Sequence, residues 1–178
     1  PTARDVSRVF GEKLQERFGG REAELLANPH YRLHVFTSRG RHVLRREGRA
    51  FSKVTTPLGY LGEFASNALS RKALGAWLER VVFSDPRDPL PLHLHDYRTH
   101  RATLSHHNLC PSVLASCSIP FWLEAVHNIP GAPRGAYWDG GITDYHLHLD
   151  YTAGGDGIVL YPHFQDTIVP GWLDKAWR

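Results

Sequence analysis

Segments with helical and with extended hydrophobic spacing alternate along this chain, and this alternation restricts its fold more than any other feature. Five apolar residues recur at the spacing of one helix face in the first segment: Val6, Val9, Phe10, Leu14 and Phe18. Residues 31–37 then have the composition of a buried strand. Strands that alternate with helices predict an α/β domain. We expect a mostly parallel sheet with flanking helices on both faces.

The first helix should begin at a capping box formed by Thr2 and Asp5 and end at Gly19. Further helices are predicted over 22–27, from Pro57 onward, over 70–82, over 109–115 and over 171–177. Residues 92–97, 136–138 and 157–161 are predicted to be extended. Residues 84–91 and 128–135 are rich in Pro, Asp or Gly and are predicted loops.

Size and cysteine content indicate one globular unit without covalent cross-links. A chain of 178 residues can bury a core of its own. Cys110 and Cys117 on one helix would have Cα atoms about 10 Å apart, which is too far for a disulfide. No apolar run reaches the length of a transmembrane helix. We expect a location in the cytoplasm or at the periphery of a membrane.

The net charge of +3 comes mainly from the first fifty residues. A basic end could face anionic lipid or nucleic acid, or it could be a solvated helix face. The Arg-rich stretch 39–49 contains no aromatic residue for base stacking. Nucleic acid is therefore not an expected partner. Phe121, Trp122, Trp138, Trp172 and Trp177 lie near predicted loops or ends, where they would suit a lipid–water interface or ordinary packing.

Twelve histidines raise a second possibility, which is metal binding. His93 and His95, and likewise His146 and His148, are spaced so that each pair could share one face of a strand. A zinc site usually needs three or more protein ligands, and no established zinc motif accompanies these pairs. The alternative is that they are surface or hydrogen-bonded histidines, and we predict no metal or cofactor.

Residues 136–142, Ala-Tyr-Trp-Asp-Gly-Gly-Ile, allow two interpretations. Asp-Gly between apolar residues is typical of a two-residue hairpin turn. Alternatively, Asp139 stands at the end of a strand, with Gly140 and Gly141 folding the backbone tightly behind it. A carboxylate in that position could accept a proton from a serine hydroxyl.

Together with residues 114–120, Leu-Ala-Ser-Cys-Ser-Ile-Pro, this motif resembles the patatin-like phospholipase family. Members carry a small-residue helix end of the form Ala-Ser-x-x-Ile-Pro, followed by a loop, a strand and Asp-Gly-Gly. The resemblance implies that Asp139 is the aspartate of a Ser–Asp dyad that hydrolyses lipid acyl esters. Gly140 and Gly141 would support it, and Ser116, Ile119 and Pro120 would be structural motif positions near the site.

The chain also departs from the family pattern. It contains no Gly-x-Ser-x-Gly nucleophile elbow and no glycine-rich oxyanion loop. By resemblance, residues 1–178 are the C-terminal part of a single hydrolase domain that is incomplete at its N-terminus. We expect the chain alone to be inactive and to need the missing N-terminal part. Two alternatives remain open: a histidine-rich metal-binding protein, and a non-catalytic module that binds lipid or a partner.

Overall fold

The computed structural model describes residues 1–42, 71–88, 90, 92–96, 98–147, 149–151, 155, 157–162 and 167–172. Helix α1, Ala3–Phe18, begins at the predicted capping box. The Asp5 amide donates to the Thr2 hydroxyl at 3.3 Å, and the Thr2 amide donates to the Asp5 carboxylate at 2.9 Å. These two bonds satisfy amide groups that a helix start otherwise leaves unpaired. A short helix α2, Glu22–Leu26, follows.

A five-stranded sheet forms the centre of the described fold. Its strands are β1, His34–Gly40; β2, Leu78–Ser84; β3, Thr99–Thr103; β4, Val126–His127; and β5, Ala136–Asp139. Their order across the sheet is β3-β2-β1-β5-β4. The class is α/β as predicted, although the predicted alternation is incomplete: β3 follows β2, and β5 follows β4, without a described helix between them. Among the residues that the structure describes, the helices after α2 are α3, Arg71–Leu74; α4, Leu109–Ser116; and α5, Gly141–Asp144.

The sheet is mostly antiparallel, so the prediction of a mostly parallel sheet is wrong. Strand β1 runs antiparallel to both β2 and β5, and β5 runs antiparallel to β4. Of the described strand pairs, only β2 and β3 are parallel. The short loop between β4 and β5 accounts for part of this difference, because a hairpin connection requires antiparallel neighbours. Buried hydrophobic runs occur in both kinds of sheet and do not indicate strand direction.

The helix predicted over 70–82 is confirmed only at Arg71–Leu74, because β2 occupies its second half. All seven residues of β2 are buried between β1 and β3. A buried central strand favours β-branched and aromatic residues, and Val81, Val82 and Phe83 satisfy that preference. Residues 157–160 are exposed and irregular, so the predicted strand there is absent. The predicted helix from Pro57 and most of the one over 171–177 lie outside the described residues.

The core lies on both faces of the sheet. Tyr137 joins the larger cluster, to which α4 contributes Leu109, Cys110 and Ala115. Trp138, the next residue of β5, points to the opposite face and packs with Leu74, Leu78 and Ile142. Alternate residues of a strand face opposite sides, so β5 contributes to both clusters. The end of β5 is thereby fixed from two sides.

Both cysteines are free, with Cys110 buried and Cys117 exposed. Within the part of the chain that the structure describes, no helix has the length and apolar character needed to cross a bilayer.

Candidate functional site

Asp139 is the last residue of β5, and its side chain opens into a cavity of about 170 Å³. The Asp139 amide donates to the Ser118 carbonyl at 3.0 Å, which joins the end of β5 to the segment after α4. The other cavity-lining residues are mainly apolar: Ile119, Pro120, Gly141, Ile142, Tyr145 and Trp172. The strand-end interpretation of the Asp-Gly-Gly motif therefore holds, because the chain turns into α5 rather than into a hairpin.

The two glycines have different roles in shaping this turn. Gly140 lies against the backbone of Phe36 in β1, so that a Cβ atom there would stand 2.8 Å from the Phe36 carbonyl carbon. No side chain fits in this space. The Gly141 amide donates to Asp139 Oδ1 at 2.7 Å and holds the carboxyl group in place. Gly140 thus lets the turn approach the sheet, and Gly141 orients the acid.

Burial raises the pKa of the Asp139 carboxyl above its usual value, and the Gly141 hydrogen bond opposes this shift only in part. No ion pair with a described cation compensates for the burial. The folded state consequently favours the protonated acid more than the unfolded chain does. The stability that this preference contributes is present at low pH and is lost as pH rises through the folded pKa. In its ionised form the carboxyl is a cost to the fold and a proton acceptor beside a cavity.

The described cavity wall supplies no aliphatic hydroxyl or thiol. Ser118, close by in sequence, donates its hydroxyl to the Leu114 carbonyl at 2.8 Å. Although part of the Cys117 residue is exposed, desolvation of its thiol raises the pKa, and the Asp139 charge raises it further, so the thiolate is disfavoured. Neither residue is arranged as a nucleophile. A hydroxyl that gives its proton to Asp139 must come from elsewhere.

The structure brings most of the predicted site residues together. Ile119 and Pro120 line the Asp139 cavity, whereas Ser116, the last residue of α4, does not. Sequence reasoning missed Tyr145 and Trp172. Tyr145 lies four residues after Gly141, a spacing that places both on one face of a helix, so the sequence alone could have indicated it as a site residue. For Trp172 the sequence gives no local signal. Its segment is brought to the site by a distant contact, the hydrogen bond from the Tyr145 amide to the Pro170 carbonyl at 2.9 Å.

A buried ion-pair network anchors the far end of α5. The Arg80 guanidinium is fully buried in β2 and donates to both carboxylate oxygens of Asp144, at 2.7 and 2.5 Å. It also donates to Asp96 at 2.9 Å. Thr143 and Ser38 share a hydroxyl hydrogen bond of 3.1 Å, which ties α5 to β1. The segment that follows Asp139 is therefore fixed to two strands.

The histidine pairs do not build a metal centre in the described part of the chain. His93 and His95 stack with ring centroids 5.6 Å apart, beside a cavity that Asp96 and Asp150 also line. Among the residues that the structure describes, no group of three His, Cys, Asp or Glu could hold a metal ion. His146 is buried, and its Nδ1 accepts the Val169 amide at 2.8 Å, which is a structural role. His148 lies outside the described residues.

Replacing Gly140 with alanine should disrupt the turn that presents Asp139. The new methyl group would meet backbone atoms of Phe36, which cannot move aside as a flexible side chain can. We expect a loss of about 1–3 kcal/mol in the free energy of unfolding, the usual cost of overpacking. Urea denaturation measures this loss. The matched control is Gly11→Ala in α1, where the methyl group would lie 3.7 Å from Leu114 in ordinary contact. Equal stability of the two variants would contradict the proposed close approach.

Comparison with known proteins adds no family assignment, since no family model, curated protein or solved structure matches this chain.

Proposed function

We propose that this chain supplies the aspartate of a Ser–Asp dyad in a lipid acyl ester hydrolase similar to the patatin-like phospholipases. The observation that carries the proposal is the Asp139 carboxyl, which has a raised pKa and lines a mainly apolar cavity. An acid in such a place accepts a proton more readily than an exposed aspartate does. The serine and the oxyanion loop would come from an N-terminal part of the same protein, outside these 178 residues.

The proposed chemistry has two steps. In the first, the serine oxygen forms a bond to the acyl carbonyl carbon while its proton passes to Asp139. The ester C–O bond breaks, and the departing alkoxide takes that proton. In the second step Asp139 takes a proton from water, whose oxygen forms a bond to the acyl carbon. The bond from that carbon to the serine oxygen breaks, and the serine oxygen takes the proton from Asp139, which releases the fatty acid and restores both groups. Backbone amides from the oxyanion loop would stabilise the negative charge, by about 3 kcal/mol for each donor.

The cavity lining fits the acyl part of such a substrate. Ile119, Pro120, Ile142 and Trp172 offer apolar surface beside the carboxyl group. Burial of apolar groups yields about 25 cal/mol for each Å² removed from water, so an acyl chain would gain from lying there. The chemistry requires no metal or organic cofactor.

Ester hydrolysis by the protein that joins this chain to its N-terminal part tests the proposal. We expect release of fatty acid from phosphatidylcholine and of p-nitrophenol from a p-nitrophenyl ester. The 178-residue chain alone should release neither product, because it carries no nucleophile elbow. Hydrolysis by the chain alone that disappears in Asp139→Ala would contradict the prediction that the nucleophile lies outside this chain. A longer protein that binds lipid but hydrolyses no ester would instead be a binding module.

A further inference from the structure

Three basic side chains surround the fully buried carboxylate of Glu79 in β2. Arg39, in β1, contacts this carboxylate through two guanidinium nitrogens. Arg98, just before β3, and His100, within β3, approach it from the other side of β2. Arg98 Nε and His100 Nε2 lie 3.3 and 3.2 Å from Glu79 Oε2. We call Arg39, Arg98 and His100 the basic cluster.

The basic cluster carries more positive charge than Glu79 requires. A buried carboxylate needs a cationic partner, and Arg39, whose side chain is only 12% exposed, is that partner. The third guanidinium nitrogen of Arg39 donates to the Arg134 carbonyl at 2.6 Å, so all three of its nitrogens are engaged. Arg98 therefore adds one positive charge beyond this pair, and His100 adds another when it is protonated.

Arg98 and His100 are the members of the basic cluster that solvent reaches. Their side chains are 57% and 30% exposed. Both contact the same oxygen of Glu79, which holds their nitrogens within two hydrogen-bond lengths of each other. Arginine has five N–H donors, and the closest contact of Arg98 with Glu79 uses only Nε. Its side chain has no further polar partner in the described part of the chain, so its terminal nitrogens can bind a ligand.

Neighbouring acidic side chains do not neutralise this excess charge. Asp96 is two residues from Arg98 in sequence, but its carboxylate accepts a hydrogen bond from Arg80 at 2.9 Å. Consecutive residues of a strand face opposite sides, so Arg80 leaves β2 on the face opposite Glu79. Asp144 also pairs with Arg80. Among the described carboxylates, only that of Glu79 forms an ion pair with the basic cluster.

The basic cluster is separate from the Asp139 cavity. None of its three residues lines that cavity. Arg98 and His100 lie on the far side of β2, whereas Asp139 ends β5 on the other side of β1. An anion held by these two side chains would therefore bind outside the proposed substrate site. The inference drawn from the basic cluster does not depend on the proposed hydrolase.

We propose that Arg98 and His100 form a binding site for a phosphate group, carried by the free ion or by a soluble phosphate monoester. At neutral pH a phosphate monoester has a charge of about −1.5 to −2, which matches the excess positive charge of the basic cluster. Its oxygens accept hydrogen bonds from several directions, and the arginine fork fits two of them at once. A carboxylate brings a single charge and fewer acceptor oxygens, so it matches these donors less well.

Isothermal titration calorimetry of the 178-residue chain with sodium phosphate at neutral pH tests this site. We expect saturable binding that Arg98→Gln weakens about tenfold, which is the effect of losing one hydrogen bond between charged groups. This variant should fold, because Arg39 still pairs with Glu79. Sodium acetate at the same ionic strength should show no saturable binding. Displacement of phosphate by O-phosphoserine would assign the site to phosphate monoesters, and failure to displace it would assign the site to the free ion.

Arg8→Gln is the matched control. Arg8 pairs with Glu12 on α1, and its side chain is 60% exposed, which is close to the exposure of Arg98. Its variant should bind phosphate as the unaltered chain does. Absence of saturable binding at millimolar phosphate, or binding that Arg98→Gln leaves unchanged, would overturn the proposal. Equal weakening by Arg8→Gln would overturn it as well, because the effect would then come from the overall charge of the chain.

Discussion

Replacement of Asp139 with asparagine should lower ester hydrolysis by the complete protein by a factor of about 10²–10⁴, the usual contribution of a general base. The amide side chain has nearly the same shape, and its oxygen can still accept the Gly141 amide bond. It cannot accept a proton from a serine hydroxyl at neutral pH. The loss should therefore appear in kcat with little change in KM, because the substrate cavity is kept.

The control for this experiment is Asp150→Asn. Asp150 is an exposed carboxylate beside the other cavity and does not contact the proposed site. Its variant should retain the activity of the unaltered protein. If Asp139→Asn keeps full activity while the protein hydrolyses esters, Asp139 is not the base and the dyad assignment fails.

Replacement of Arg80 with methionine should be the most destabilising of the substitutions considered. Arg80 is fully buried and donates to Asp144, Asp96 and Thr99. Its loss would leave the Asp144 carboxylate, which is 2% exposed, without its main cation. Breaking a buried pair from one side costs about 3–5 kcal/mol. Because small domains are stable by only about 5–15 kcal/mol, urea denaturation should show a large fall in the transition midpoint.

Two further variants separate the ion pair from simple loss of packing. Arg80→Met combined with Asp144→Leu removes both charges, and it should recover part of the stability that Arg80→Met loses. Arg8→Met removes an exposed arginine that pairs with Glu12 on α1, and it should unfold near the midpoint of the unaltered chain. If Arg80→Met were no less stable than Arg8→Met, the buried network would have no structural importance.

Local signals in the sequence predicted local structure well. The capping box of Thr2 and Asp5 forms as expected, because its two hydrogen bonds join residues three positions apart. Helix α4 and strand β5 occur within a residue of their predicted ends. The Asp-Gly-Gly motif left a hairpin turn and a strand end open, and the structure has the strand end, where only glycine can bring the backbone so close to Phe36.

Features that depend on distant neighbours could not be predicted. Residues 78–82 have helical spacing and yet form β2, because β1 and β3 enclose them on both sides. Glu79 and Arg80 are polar residues in this buried strand, and the ion pairs that allow their burial come from other elements. A buried run of apolar residues does not indicate whether its strand is parallel or antiparallel to its neighbours. Trp172 reaches the Asp139 cavity through tertiary contacts for which neither spacing nor composition gives a signal.

Paired pH titrations test the proposed role of Asp139 most directly. The pH dependence of kcat/KM reports the pKa of the essential base in the free enzyme, and carbon NMR of the Asp139 carboxyl reports the pKa of that group alone. Because burial raises this pKa, ester hydrolysis should increase with pH through a midpoint above 3.8, and the carboxyl should titrate at the same midpoint. An Asp139 carboxyl that titrates at or below 3.8, while hydrolysis depends on a different midpoint, would contradict the account.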